Sequence, residues 1–529
     1  MSDTPQGVSR SAVRFFSGTL LSRVTGMVRD MTMAFYFGTS PALAAFLLAY
    51  RFVYLIRRLF GEGLLRQGFI PHYEERKALS ERGSALYFRD LFWTFALVLF
   101  VVLGLIEGGL FFFGRLGVFS GGGVEIAHLS ALILPGLFFI CLFGLTSALL
   151  QSEKHFFLSS AAPIAFNLVW MAGVIALGSF PTEEAVVGLS LVLVIAFAFQ
   201  WGVTIPRTWE VLRRNLSLKE IFQLRVFSRS LKSITRPLFL GMIGVASMQV
   251  NSAIDSVFAR FSSLEGPAYL WYAIRMEQLP LALFGIALSS ALLPALSRTV
   301  EEKNEEGYQD LVRFGIKRTF TLIFPCVVGI FVLGVCSVNL LFGRGDFSSV
   351  AIVETTKCLW GYGLGLLPAA LVQILAPAFY AKKDYTTPTK AFIFTAIMNI
   401  FFDALFVFGF GWGASSIAIA TSGAACFNAL YLYRHLRSKS FFSSSVVKVG
   451  TAGLMAGILT LFFGHFGLGD STVSLFLQKG VSFASETLVQ LSQFLLQAGV
   501  FFALFFLFCF WLKAEDVNLN KITGYFSSK

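Results

Sequence analysis

Long apolar runs separated by short polar segments extend along almost the whole chain. Many of these runs contain about 20 residues, the length of helix that crosses a hydrocarbon core about 30 Å thick. A membrane β-barrel would instead show short segments in which apolar and polar residues alternate. The pattern predicts fourteen spanning helices, near residues 11–38, 42–62, 90–113, 127–150, 156–178, 185–205, 234–261, 268–297, 315–341, 351–380, 388–410, 412–433, 445–464 and 488–512.

The composition supports the same interpretation, an all-α polytopic membrane protein. Of the 529 residues, 56% are hydrophobic and only 14% are charged, which lies far outside the range of soluble domains. The N-terminal residues MSDTPQGVSR do not resemble a signal peptide, and arginines interrupt the first apolar run. We therefore expect the first helix to be retained.

Basic residues concentrate in alternate loops. The formal net charge is +12, and the Lys and Arg residues cluster near 63–89, 206–236, 298–318, 381–390 and 434–448. Because basic loops favour the cytoplasmic side, both termini are predicted to be cytoplasmic. Nucleic acid is not expected as a partner, since the charge follows alternate loops and not one face of a domain.

Two stretches of the chain resemble each other. Residues 30–51, DMTMAFYFGTSPALAAFLLAYR, align with residues 255–275, DSVFARFSSLEGPAYLWYAIR, with one gap. Six predicted helices separate the two stretches, and an even number implies a parallel pseudo-twofold repeat about the membrane normal. We predict two six-helix lobes followed by two C-terminal helices, with an N-lobe at 1–205, a basic cytoplasmic linker at 206–233, a C-lobe at 234–433 and a C-terminal part at 434–529.

The first predicted helix carries charges where a spanning helix is normally apolar. Arg23, Arg29 and Asp30 interrupt the run, and each charge near the bilayer centre costs roughly 2.5 to 3.5 kcal/mol. Asp30 lies seven residues after Arg23, on nearly the same helical face. Two interpretations remain open, an ion pair that only holds structure and a functional group inside a cavity.

Further arginines lie in the second and eighth predicted helices. The second helix contains Arg51, Arg57, Arg58 and Glu62, and Arg275 lies in the eighth. Arg58 and Glu62 are four residues apart and can pair, although an interfacial anchor is an equally good interpretation of Arg58. Guanidinium groups are planar, permanently charged and matched to phosphate oxygens, so this cluster indicates an anionic cargo that bears phosphate.

A second group of polar residues lies in the predicted C-lobe. It comprises Asp255, Asn399, Asp403 and Thr421, which offer only oxygen ligands. Such a set is typical of a midplane ion site, but it is also typical of hydrogen bonds between helices.

Four stretches resemble the MurJ (MviN) family of lipid II flippases, within the multidrug/oligosaccharidyl-lipid/polysaccharide (MOP) exporter superfamily. They are SRVTGMVRDMTMAFYFG, RRLFGEGLLRQGFIPHYEE, YAIRMEQLP with GIALSSALLPALSR, and LAPAFYAKKDYTTPTK. The resemblance implies a flippase that moves a polyprenyl-diphosphate disaccharide-pentapeptide to the outer leaflet of the bacterial inner membrane, for peptidoglycan synthesis. It also implies that the last two helices form a groove for the polyprenyl tail.

The resemblance further implies roles for individual residues. Diphosphate contacts are expected at Arg23, Arg29, Arg57 and Arg275. Helical spacing, and not the resemblance, indicates gating or ion-pair roles for Asp30, Arg51, Arg58 and Glu62. A coupling sodium ion, as found in some members, is expected at Asp255, Asn399, Asp403 and Thr421, and no other cofactor is expected.

Three alternatives were weighed against this function. A flippase for another polyprenyl-linked oligosaccharide and a MATE-like exporter are the alternatives within transport. An enzyme is not expected, because the chain lacks GxSxG, HExxH and Walker A motifs and its five histidines are scattered. The outer segment 464–487 is either a plain loop or a docking surface for cell-wall synthesis machinery, and a monomer embedded among membrane lipids is expected.

Overall fold

The computed structural model describes residues 5–58, 64–228, 231, 251–436, 444–468, 472–476 and 483–514. Within these ranges every regular element is a helix and no strand is present. The chain divides into two compact units, Met1–Ser256 and Val257–Lys529. The all-α prediction is confirmed, whereas the four-part division of the chain stays a prediction.

Within the described residues, the first unit contains eleven helices and part of a twelfth. They are α1 (Pro5–Phe37), α2 (Pro41–Arg57), α3 (Leu64–Leu79), α4 (Glu81–Arg115), α5 (Gly122–Ile133), α6 (Gly136–Ser152), α7 (Phe156–Ala161), α8 (Pro163–Leu177), α9 (Thr182–Gly202), α10 (Ile205–Arg213) and α11 (Leu218–Ile221). The twelfth, α12, is the helical segment 251–262, which begins in the first unit and ends in the second.

In the second unit, the described residues form nine further helices and two π-helical segments. The helices are α13 (Gly266–Pro280), α14 (Ala287–Glu301), α15 (Glu305–Phe342), α16 (Ser349–Ala381), α17 (Thr386–Ala404), α18 (Ser415–Leu436), α19 (Ser444–Gly467), α20 (Thr472–Phe476) and α21 (Thr487–Trp511). The π-helical segments Leu281–Ile286 and Leu405–Gly409 follow α13 and α17.

Ten of the fourteen predicted spans pass a test of length and hydropathy. Among the described residues, nine helices are long and apolar enough to cross a membrane, and the bent pair α5 and α6 makes a tenth if it is one span. The other four predicted spans do not pass this test, each for a different reason. Charges interrupt α1, α2 has only 17 residues, segment 234–261 is largely outside the described residues, and segment 268–297 is divided between α13 and α14.

Several spans are longer than their apolar runs predict, because polar residues extend and cap them. Helix α4 begins at Glu81, and the hydroxyl of Ser80 accepts a hydrogen bond from the Gly83 amide at 3.1 Å. Helix α15 begins at Glu305, and the side chain of Asn304 accepts from the Gly307 amide at 2.8 Å. Such caps satisfy amide groups that have no partner within the helix.

The predicted helix 127–150 is broken. It consists of α5 and α6, which are bent by 46° at Pro135. Proline lacks an amide donor and its ring clashes with the preceding turn, so a kink at this residue has a local cause.

Helices α16 and α18 pack through small residues. A Cβ atom added at Gly365 would lie 2.7 Å from Ser422 Cα, and one added at Gly361 would lie 2.8 Å from Ala418 Cβ. Because two glycines four residues apart face α18, the backbones approach closely enough for the Ser422 hydroxyl to donate to the Gly361 carbonyl at 2.6 Å. This is the packing that glycine repeats favour in membranes.

The last two long helices pack against α15. Buried side chains of α15 (Val328, Val332, Leu333 and Cys336) meet those of α19 (Val449, Ala452 and Ala456) and α21 (Phe501, Phe505 and Cys509) in one apolar cluster. A polar contact closes the end of this interface, where Gln490 Nε2 donates to Asn339 Oδ1 at 3.2 Å. The predicted tail groove on these helices stays a prediction.

Replacing Gly365 by alanine should lower stability by about 1 to 3 kcal/mol, because the new methyl group meets the α18 backbone. Gly423→Ala is the matched control, since a Cβ at Gly423 on α18 meets no atom within 4 Å. Thermal unfolding of the purified protein in detergent is the measurement. Equal melting temperatures for the two variants would contradict the close packing of α16 on α18.

Candidate functional site

The charges of α1 form a buried ion pair between neighbouring residues. Arg29 Nη2 and Nε donate to Asp30 Oδ1 at 2.7 and 3.0 Å. Arg29 is 6% exposed and Asp30 is 1% exposed, so neither group relies on solvent. Arg23, the third of the charged residues predicted to interrupt the apolar run of this helix, is exposed. The structure therefore pairs Asp30 with Arg29, within α1.

Helix α8 completes the surroundings of Arg29. Arg29 Nη1 donates to Asn167 Oδ1 at 3.0 Å, and the guanidinium carbon lies 4.3 Å from the centre of the Trp170 ring. The amide of Asn167 donates in turn to the Ser22 carbonyl at 3.1 Å and to the Thr25 hydroxyl at 2.9 Å. One side chain of α8 thus joins the charge of α1 to the backbone two turns earlier.

The arginines of α2 are half-buried and lie beside an aromatic ring. The guanidinium carbons of Arg57 and Arg58 lie 4.8 and 5.3 Å from the centre of the Tyr54 ring. Arg51 Nη1 donates to the Ser252 hydroxyl at 2.9 Å, within the first unit. Glu62, the predicted partner of Arg58, lies outside the described residues.

Arg275 lies in the second unit, on α13. Its side chain is half-buried, and its guanidinium carbon lies 4.2 Å from the centre of the Trp271 ring, one helical turn earlier. The geometry of Arg275 therefore resembles that of Arg57, Arg58 and Arg29, each of which lies over an aromatic ring.

The predicted oxygen ligands fall in both units. In the second unit Asn399 and Asp403 are fully buried on α17, and Asn399 Nδ2 donates to Asp403 Oδ2 at 3.1 Å. Thr421 on α18 is half-buried and donates to the Ile417 carbonyl at 3.0 Å. Asp255, buried on α12, belongs to the first unit. Oxygen donors of this kind fit Na⁺, and the sodium site stays a prediction.

A polar network that sequence reasoning missed lies outside the spans of the first unit. Glu153 Oε1 accepts from Tyr73 at 2.9 Å and from Lys77 at 2.7 Å. Burial and the adjacent Glu153 carboxylate raise the pKa of Tyr73 well above its usual value. His155 Nε2 accepts from Arg207 Nε at 3.0 Å. The network joins α3, α10 and the turn between α6 and α7.

A second neighbouring pair of charges holds the predicted linker on α4. Arg89 Nη2 donates to Asp90 Oδ1 at 2.6 Å, and Arg89 Nη1 donates to the Glu220 carbonyl at 3.1 Å. Trp93 Nε1 donates to the Ile221 carbonyl at 3.0 Å. Glu220 also caps α11 through Ser217, and both its hydrogen bonds with Ser217 and the Arg82 guanidinium lower the pKa of its carboxyl group.

Sequence analysis found the charges but missed most of their neighbours. Asn167 and Trp170 lie about 140 residues from Arg29, and no local pattern connects them. Tyr54 and Trp271 carry a usable signal, because an aromatic residue three or four positions before an arginine shares its helical face.

These observations define a class of protein, a polytopic helical membrane transporter that keeps several arginines inside its helical units. The chain belongs to the family described as lipid II flippase MurJ, whose profile matches residues 33–487.

Known proteins of the same family are similar over most of their length. A probable lipid II flippase MurJ of Chlamydia pneumoniae is 31% identical, with 98% of this chain and 95% of the relative covered. A lipid II flippase MurJ of Burkholderia cenocepacia is 29% identical, with 83% and 87% covered.

Solved structures show the same fold. A lipid II flippase MurJ in an inward closed conformation superposes with a TM-score of 0.75 at 21% identity, covering 94% of this chain and 98% of that one. An inward-facing MATE family multidrug transporter of the MOP superfamily gives 0.64 at 16% identity, covering 81% and 98%. Both likenesses concern the fold alone, whereas the family profile and the similar relatives confirm the resemblance that the sequence motifs indicated.

Replacing Asp30 by alanine should destabilise the protein by about 3 kcal/mol, because it leaves the Arg29 charge buried without its carboxylate. The double variant Arg29→Leu/Asp30→Leu removes both charges and should recover most of this loss. Thermal unfolding in detergent measures both effects. A double variant no more stable than Asp30→Ala would contradict the assignment of the pair.

Stability should fall as the pH drops below about 6.5, because His155 must stay neutral to accept from Arg207. Burial and the Arg207 guanidinium lower the pKa of His155 below its ordinary value. Glu153, Glu210 and Arg214 also face the ring, and the two carboxylates oppose this shift. The contribution of His155 to folding stability is therefore fully present above the pKa of this histidine in the unfolded chain. It is lost as the pH falls through the lower pKa of His155 in the folded protein.

Melting curves between pH 5 and 8 check this expectation. His155→Gln replaces the accepting ring nitrogen by an amide oxygen that does not titrate, so its melting temperature should vary less with pH than that of the wild type. His435→Gln, at an exposed histidine of α18, is the matched control and should follow the wild type. Parallel curves for all three proteins would exclude the histidine as the cause.

Proposed function

We propose that the protein is a lipid II flippase that moves an undecaprenyl-diphosphate disaccharide-pentapeptide from the cytoplasmic to the outer leaflet of a bacterial inner membrane. The protein carries the cargo by alternating access, and the cargo is released without chemical change. Both termini are on the cytoplasmic side. Membership of the MurJ family supports this assignment, and so do the names of its similar relatives.

The observation that carries the proposal is the set of arginines on α2. Arg51, Arg57 and Arg58 lie within two turns of one helix, and all three are half-buried. Three permanent positive charges so close together repel one another, and a diphosphate would relieve that repulsion by accepting hydrogen bonds from several guanidinium groups. An anionic headgroup is therefore the cargo that suits this helix.

The membrane potential would favour the proposed direction of transport. Moving one elementary charge across 100 mV is worth roughly 2.3 kcal/mol, and an anion gains this energy when it leaves an inside-negative compartment. Two charges on a diphosphate could therefore supply about 4 to 5 kcal/mol, provided that the arginines do not move with the cargo. A sodium ion held by Asn399, Asp403 and Thr421 of the second unit would then serve to reset the empty carrier.

The nearest competing function is transport of another polyprenyl-diphosphate oligosaccharide, since the arginines recognise the diphosphate and not the sugar. Export of cationic drugs by a MATE-like exporter fits less well, because half-buried arginines would repel a cation. A cellular assay that identifies the transported cargo distinguishes lipid II transport from each of these two competing functions.

Expression of the chain in a bacterium depleted of its own lipid II flippase should restore growth and outward exposure of lipid II. Arg57→Ala and Arg275→Ala should each abolish this rescue, because each removes a guanidinium group from the proposed diphosphate contacts. Labelling of lipid II on the outer face of intact cells is the measurement.

Arg115→Ala is the matched control, since Arg115 is an exposed arginine over the Phe111 ring outside the predicted contacts. Membrane levels and melting temperatures should be equal across the variants. Failure of the folded wild type to rescue would favour another polyprenyl-linked cargo. Full rescue by both arginine variants would remove the diphosphate site from the proposal.

A further inference from the structure

Four of the six arginines predicted for the site lie over an aromatic ring. The guanidinium carbon is 4.2 Å from the ring centre for Arg275 over Trp271, 4.3 Å for Arg29 over Trp170, and 4.8 and 5.3 Å for Arg57 and Arg58 over Tyr54. In the part of the chain that the structure describes, two other arginines, Arg76 and Arg115, make the same contact. The rings are therefore concentrated where the sequence places the cargo contacts.

A ring and a phosphate use different parts of a guanidinium group. The ring attracts the cation through the flat face of the guanidinium, whereas the N–H donors project from its edge. An arginine can therefore keep its ring contact while its edge binds phosphate oxygens. A carboxylate partner would instead occupy the same donors that the phosphate needs.

Arg29 shows that both contacts can exist together. Its edge donates to Asp30 Oδ1 and to Asn167 Oδ1, while the guanidinium carbon lies 4.3 Å from the Trp170 ring centre. The carboxylate and amide oxygens occupy positions that phosphate oxygens would take at another arginine. Trp170 is fully buried and its Nε1 has no hydrogen-bond partner in the part of the chain that the structure describes. Trp170 therefore interacts with Arg29 through the face of its indole ring and not through its N–H group.

The aromatic groups of the first unit also form a continuous series. The Trp170 ring lies 5.4 Å from the Tyr50 ring, and the Tyr50 ring lies 5.9 Å from the Tyr54 ring, measured between centroids. This series connects the rings beneath Arg29 with the ring beneath Arg57 and Arg58. The position of Tyr54 is thus determined by packing that begins at a fully buried tryptophan.

We propose that Tyr54 and Trp271 are positioning residues for the cargo arginines. Tyr54 holds the guanidinium groups of Arg57 and Arg58 by their faces, and Trp271 holds that of Arg275, so that the edge donors meet the diphosphate. The inference rests on the proposed function, because it assigns these rings to recognition of the polyprenyl-diphosphate cargo named there. It adds to that function an aromatic layer behind the arginines.

The test compares ring-keeping with ring-removing variants of the full-length protein. Tyr54→Phe and Trp271→Phe keep an aromatic face, whereas Tyr54→Leu and Trp271→Leu replace it by an aliphatic side chain. Binding of a polyprenyl diphosphate and of a polyprenyl monophosphate with the same chain is measured by native mass spectrometry. The leucine variants should lose about 3- to 30-fold in diphosphate affinity, and the phenylalanine variants about 2-fold or less.

A double-mutant cycle separates positioning from general stability. Trp271→Leu should weaken diphosphate binding in the wild-type background and have no further effect in the Arg275→Ala background, because the ring acts through the arginine. Equal losses in both backgrounds would overturn the proposal. Phe111→Leu removes the ring beneath Arg115 and is the matched control, with no change in affinity expected.

The outcomes distinguish a failure of the proposed function from a failure of the positioning role of Tyr54 and Trp271. A folded wild type that binds the diphosphate and monophosphate lipids equally would overturn the proposed function. A wild type that prefers the diphosphate, together with leucine variants that keep the same preference, would overturn only the assignment of Tyr54 and Trp271.

Discussion

A guanidinium group inside a spanning helix has to be solvated by the protein itself, and the surroundings of Arg29 show how much packing this requirement organises. Asp30 supplies the opposite charge, Asn167 supplies a carbonyl oxygen, and Trp170 supplies an aromatic face. The Trp170 ring then packs against Tyr50 of α2. Trp170 of α8 therefore contacts both the charge on α1 and an aromatic ring on α2.

The lengths of apolar runs predicted most of the fold, because the thickness of the bilayer sets the length of helix that must be apolar. The same signal could not predict where a helix ends in water. Helix α15 begins at Glu305, ten residues before its predicted span, since only a polar cap stops it there. The bend at Pro135 between α5 and α6 was also not predicted. Hydropathy is averaged over a window of residues, so one proline within an apolar run changes it little.

The candidate site was predicted less completely, and the reason is again physical. A charge in an apolar run is visible in the sequence, so Arg29, Arg57 and Arg275 could be identified as candidates. The groups that solvate such charges come from other helices, as Asn167 does, and their approach depends on tertiary packing. The rings of Tyr54 and Trp271 are an intermediate case, because helical spacing alone brings them to their arginines.

The adjacency of the two charges in Arg29–Asp30 has a consequence for the biosynthesis of the protein. Neighbouring residues can pair as soon as α1 forms, whereas Asn167 is synthesised more than a hundred residues later. The nascent helix can therefore enter the bilayer with this charge already neutralised, as a local dipole and not as two separate ions. Arg89 and Asp90 repeat the arrangement on α4. In α1, membrane insertion is made compatible with an arginine before the tertiary structure that surrounds it exists.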